Sequence, residues 1–93
     1  MKSIIQKDKR CFICGTDRRL ESHHAMHGTA NRKIADRYGL TVWLCAEHHR
    51  GTQGVHGRDG KDLDLHLKQI AQEAFESIYN HDMWMDLFGR NYL

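Results

Sequence analysis

The spacing of apolar residues changes character near residue 60. Before it, RLESHHA (19–25) and LTVWLC (40–45) carry the partial alternation and the β-branched and aromatic content of strands. The two should pair antiparallel across the long connection 26–39, which begins near Gly28, ends at Gly39 and is polar enough for a loop or one helical turn capped by Gly39. Cys45-Ala-Glu-His48 then opens a short helix ending by Gly51, and GTQGVHGRDG (51–60), with four glycines, reads as a flexible loop. From Lys61 the period lengthens: Leu63, Leu67, Ile70, Ala71, Ala74, Phe75 and Ile78 lie on one face of a helix with Asp62 as N-cap and an end near Asn80. A second helix, Asp82 to Phe88, can stop at Gly89, and its Met83, Trp84, Leu87 and Phe88 are core candidates. Residues 1–10 are polar apart from Ile4 and Ile5, a frayed arm or a short edge segment. The predicted class is α+β: an arm (1–10), a central unit (11–60) and a helical extension packed on the same domain (61–93).

Size then becomes a constraint. A 93-residue chain buries only roughly 60–65% of its unfolded surface, so a core this thin calls for a staple. Three cysteines cannot all pair within one chain, and Cys11 and Cys14 are too close in sequence to staple a fold by disulfide. Metal fits better. CFICG places two thiolates on either side of a tight turn, and Gly15 can take the positive φ that such a knuckle needs. Thirty residues later, CAEH repeats the two-residue spacing, so Cys11, Cys14, Cys45 and His48 make a Cys₃His set for structural zinc. His48 is favoured over His49 as fourth ligand because its spacing mirrors the first knuckle.

The net charge of +2 is unevenly placed: residues 1–60 hold 11 Lys and Arg against 6 Asp and Glu, and residues 61–93 hold 3 against 6. A basic, histidine-rich part beside an acidic one suggests that one side meets a polyanion. No stretch approaches the roughly 20 apolar residues of a membrane span, and the N-terminus lacks the apolar run of a signal peptide, so a soluble, cytoplasmic protein is expected.

Zinc leaves His23, His24, His49 and His56 to explain. Neighbours on a strand point to opposite faces, so one of His23 and His24 can bind a metal while the other acts as a general base. His49, adjacent to a zinc ligand, can supply a second ligand and His56 a third. A centre with few protein ligands keeps positions open for water and a phosphate oxygen, as metal-assisted hydrolysis requires. His66 and His81 read as surface or capping residues.

These motifs resemble a known family. CxxC, a strand ending in a His pair, and a strand running into CxxH followed directly by His are similar to the HNH endonucleases of ββα-metal fold. HHAMHGTANRK, YGLTVWLCAEHHRG, GVHG and FGRNYL together resemble small HNH-type proteins encoded by bacteriophages, over about residues 11–93. The resemblance implies His24 as general base, His23 and His49 as ligands of a catalytic divalent ion such as Mg²⁺, Mn²⁺ or Ni²⁺, and DNA cleavage to 5′-phosphate ends. It also implies a bacterial host cytoplasm, with phage packaging or recombination proteins as candidate partners. One departure stands out: where the family places its middle Asn, this chain reads Tyr38-Gly39-Leu40. Asn31, the nearest asparagine, would either order the His24 backbone from the loop or serve a turn.

Arg19, Arg32, Lys33, Arg37, Arg50 and Arg58 flank the expected site and can contact phosphates, which positions DNA without reading its sequence. The competing reading is a zinc-stabilised module that binds nucleic acid or protein without catalysis. Surplus histidines beside a complete zinc set favour the enzyme.

Overall fold

Alternation in the two central runs produces a two-stranded antiparallel hairpin. A computed structural model, which describes residues 2–93, pairs β1 (Leu20–His24) with β2 (Thr41–Cys45) in the register Leu20↔Cys45 through His24↔Thr41. Alternation then sorts the side chains. Glu21 and His23 share one face with Val42 and Leu44, whereas Ser22 and His24 share the other with Trp43 and Thr41. His23, Val42 and Leu44 are buried.

The connection between the strands is more regular than expected. It holds a ten-residue helix, α1 (Thr29–Tyr38), in place of a loop or single turn. Its apolar side is narrow, which hides it in sequence: Ala35 is buried, and Tyr38 meets the Phe75 ring edge-on at 5.3 Å. Gly39 ends the helix in the left-handed region (φ 72°), with its N–H bonded to Ala35 O. A side chain there would also strike the Lys2 carbonyl, so strain and crowding both require glycine.

Residues 2–12 run along the otherwise free edge of β2. Ile4 N–H donates to Gly39 O at 2.9 Å, Trp43 N–H to the Gln6 side-chain oxygen at 2.8 Å, and Phe12 N–H to Trp43 O at 2.8 Å. Of the two readings of the arm, the edge segment is the one observed, and Ile4 and Ile5 pack against the core.

After β2 the chain turns into α2 (Ala46–Arg50). The glycine loop is not a loose tether, because Val55 N–H returns to His48 O at 2.9 Å and His56 N–H to His49 O at 3.0 Å. Glycines 51, 54, 57 and 60 allow the backbone to pack on itself: a Cβ on Gly57 would overlap the Gly51 and Thr52 carbonyl oxygens. Those two return bonds fix His56 beside α2.

The long helix α3 (Lys61–Ile78) is capped by Gly60 instead of Asp62, which stands with Asp64 in the first turn, where the helix dipole favours carboxylates. Asn80 then caps α4 (His81–Phe88) by accepting from Met83 N–H at 2.8 Å, and Gly89 closes it. Phe75 and Trp84 join Ala25, Met26, Ala35 and Leu40 in one buried cluster, while Leu67 joins Val42, Leu44, Cys11 and Cys45 in another. The extension is thus part of the same core.

Gln72, fully buried, ties down the C-terminus. Its oxygen accepts from Tyr92 N–H at 2.8 Å, and its amide donates to Glu76 at 2.6 Å and Asn91 at 2.7 Å. Gln72→Ala should leave buried polar partners unsatisfied and lower stability by about 1–3 kcal/mol. Urea unfolding would read this as a lower midpoint at constant slope, and an unchanged midpoint would refute the role.

Candidate metal centres

At the base of the hairpin, the knuckle is folded by Gly15 (φ 77°), whose N–H donates to Cys11 O at 2.8 Å. Cys45 sits at the junction of β2 and α2, and His48 lies on α2. Cys14 Sγ to Cys45 Sγ is 3.9 Å, Cys11 Sγ to His48 Nδ1 is 3.7 Å, and Cys45 Sγ to His48 Nδ1 is 3.2 Å. A tetrahedral ion with Zn–S bonds of about 2.3 Å separates its ligand sulfurs by roughly 3.8 Å, so this spacing suits zinc. All three thiols are free of disulfides. Burial opposes ionisation of Cys11, yet main-chain N–H groups of Cys14, Cys45 and Ile13 bring its thiol down to about 6. Burial pushes the Cys45 thiol up. Cys11, Cys14, Cys45 and His48, with ligand atoms within 4.8 Å of one another, could hold a structural zinc.

A second cluster lies at the other end of β1. His23 projects from the inner face, His49 comes from α2 and His56 from the glycine loop, again with ligand atoms within 4.8 Å of one another. The ring centroids stand 5.2, 5.2 and 4.8 Å apart. With metal–nitrogen bonds of about 2.0–2.1 Å, three imidazoles on one ion have centroids roughly 4.5–5.2 Å apart, the range from octahedral to tetrahedral angles. The residues fit a divalent ion on a second ground as well: His23 is 98% buried, yet its Nε2 has no hydrogen-bond partner. Burial, and then the neighbouring His27, His49 and His56, depress the His23 imidazole to about 3, which keeps it neutral as a ligand must be. Burial and His49 likewise lower His56.

Carboxylates orient this set. His49 Nδ1–H donates to Glu21 Oε1 at 2.7 Å, which leaves Nε2 free. Hydrogen bonds from Arg50 and then His49 hold the Glu21 carboxyl down at about 2. On the outer face, His24 Nε2–H donates to Asp36 Oδ1 of α1 at 2.7 Å. An open cleft of about 360 Å³ joins the two faces and is lined by Ser22, His23, His24, Arg32, His49 and His56.

Asn31 lies in the first turn of α1, and its side chain makes no hydrogen bond to His24 among the described residues. Asp36 holds the His24 ring, and the backbone beyond it is fixed by Ala25 N–H to Leu40 O at 3.0 Å. Among the basic residues, Arg32 lines the cleft, Lys33 and Arg37 are exposed on α1, and Arg19 is exposed where β1 begins. Arg50 is engaged internally, donating from Nε to both Glu21 oxygens and from Nη2 to Oε2, and Arg58 pairs with Asp59 at 3.5 Å.

Four residues of this neighbourhood escape the sequence reading: Glu21, His27, Asp36 and Asp64. Only Glu21 carries a usable signal there, standing two positions before His23 and so on the same strand face. Comparison with protein-family models, curated proteins and solved structures gives no match to this chain.

Proposed function

We propose that this protein is a metal-dependent DNA endonuclease of HNH type, built on a ββα-metal core with a structural zinc and hydrolysing phosphodiester bonds. The observation that carries the reading is the unpartnered, buried Nε2 of His23 beside His49 and His56, with the His24–Asp36 pair on the rim of the same cleft. A divalent ion held by these three histidines would polarise a phosphoryl oxygen and neutralise charge on the leaving 3′ oxygen. His24 acts as general base: Asp36 accepts from Nε2–H, so Nδ1 is the basic nitrogen that takes the proton of the attacking water. Arg32 engages the phosphate at the cleft, while Lys33, Arg37 and Arg19 lie along the duplex backbone. Among the described residues no element offers a recognition helix, so weak sequence preference is expected.

Incubating supercoiled plasmid with the purified chain and Mg²⁺, Mn²⁺ or Ni²⁺ tests the reading, with open-circular product expected. Failure to nick under every ion would refute it and leave a zinc-stabilised binding module. Asp36→Asn should slow nicking by about 10-fold, less than loss of the base itself, because the ring stays but its orientation relaxes. Equal rates for Asp36→Asn and wild type would remove Asp36 from the site.

A further inference from the structure

Alternation along the hairpin leaves one large aromatic side chain outside the core. Trp43 stands opposite Ser22 on the outer face of the sheet, the face that also carries His24 and Thr41. It is half-buried and belongs to neither buried cluster, in a domain too small to spare an indole. Its main chain is held by the arm, Trp43 N–H donating to the Gln6 side chain and Trp43 O accepting from Phe12 N–H, so the ring stands on a fixed platform.

Beside that ring runs a groove of about 710 Å³, walled by Lys2, Ser3, Gln6 and Lys7 of the arm and by Ser22 and Trp43 of the sheet. Its lining contains two lysines and no carboxylate. Lys2 and Lys7 are exposed and form no ion pair among the described residues. Lys9 adds a third charge: its Nζ lies 4.7 Å from the Trp43 ring centroid but outside the groove, so the indole keeps a surface for the groove itself. Ser3 Oγ, donating to Thr41 O at 2.5 Å, pins the arm that carries these lysines.

The groove is continuous with the histidine cleft. Ser22 lines both and stands two residues before His24 on one strand face, about 6.4–6.8 Å along it. At a rise of about 3.4 Å per nucleotide, a strand whose phosphate reaches His24 brings a nucleotide about two positions away to Trp43. We propose that this groove holds an unpaired stretch of the DNA strand being cut, with a base stacked on Trp43 and phosphates on Lys2 and Lys7. This rests on the endonuclease reading and names its substrate class: DNA that is single-stranded or opened beside the scissile phosphate. Two features choose that occupant. Cations without carboxylates suit a polyanion, and an aromatic surface among them suits a base, which an acidic peptide lacks. A closed duplex stacks its bases on one another, so only an unpaired base can offer its face to the indole.

Fluorescence anisotropy of a labelled oligothymidylate tests this on zinc-loaded protein with no other divalent ion added, with a duplex of equal length and a polyglutamate competitor as further arms. Trp43→Ala should weaken oligothymidylate binding by about 5–150-fold, what one stacked base contributes, and Trp43→Phe should restore most of it. Duplex binding by Trp43→Ala should stay within about 2-fold of wild type, since phosphate contacts carry it. Lys2→Gln/Lys7→Gln should flatten the slope of log affinity against log salt by about 1.4, from about 0.7 per phosphate contact on a single strand. Lys61→Gln, on α3, should keep the wild-type slope. Far-UV circular dichroism confirms that each variant is folded. Wild-type oligothymidylate affinity in folded Trp43→Ala overturns the proposal, as does an unchanged salt slope in the lysine variant. Equal losses for duplex and single strand overturn the unpaired-strand assignment, and displacement of oligothymidylate by polyglutamate at matched charge overturns it in favour of an acidic protein. Failure of plasmid nicking under every ion removes the nuclease reading alone, because strand binding is measured without cleavage.

Discussion

The Cys11→Ala/Cys14→Ala variant is expected to be unfolded, with far-UV circular dichroism of a disordered chain and no zinc retained after dialysis. The magnitudes decide this. A structural zinc in small Cys/His sites contributes about 10–16 kcal/mol of apparent binding energy, against a total stability of about 5–15 kcal/mol for a domain. Losing two of four ligands forfeits most of the first quantity, and little replaces it. Cys11 and Cys45 are themselves buried and pack with Val42, Leu44, Val55 and Leu67, so a zinc held there would sit where the hairpin meets α3. A chelator that strips zinc from the wild type should have the same effect. A double variant that stays folded without zinc would show that the apolar clusters suffice and that the centre is not structural.

Loss of the proposed general base is the second large effect. His24→Ala should reduce plasmid nicking by about 10²–10⁴-fold, the range that positioned base catalysis contributes. His24 is partly exposed on the outer face of β1, pairs with Asp36 and packs little, so the variant should keep its fold and its metals. His23→Ala should behave differently: it removes a buried side chain proposed as a ligand and should cost metal affinity as well as rate. Agarose-gel nicking assays paired with metal analysis separate the two. If His24→Ala nicks as fast as wild type, the base lies elsewhere, and His27 beside Asp64 is the next side chain to replace.

The strands, the Cys₃His set and the two C-terminal helices are legible in the sequence because each rests on local rules. Two-residue spacing in CFIC and CAEH places ligands on tight turns, and apolar residues from Leu63 to Ile78 follow a helical period. The α1 helix is not legible as a helix of that length. Its apolar side comes down to Ala35 and Tyr38, and Tyr38 packs on Phe75, which is distant in sequence. Nor does composition distinguish a mobile glycine loop from one whose glycines allow backbone to pack on backbone, as residues 51–60 do.

The sequence by itself determined the hairpin and its faces, the Cys₃His set by its spacing, and His23, His24, His49 and His56 as the histidines left over beside that set. Tertiary structure alone decided what each meets. His23 lost its hydrogen-bond partners to burial, Glu21 took His49, and Asp36 of α1 took His24 where an asparagine was expected. Asp64 reached His27 across 37 residues. Local rules act over a few positions along the chain, whereas these pairings depend on how α1 and α3 dock against the hairpin, and docking is set by packing of the shared core.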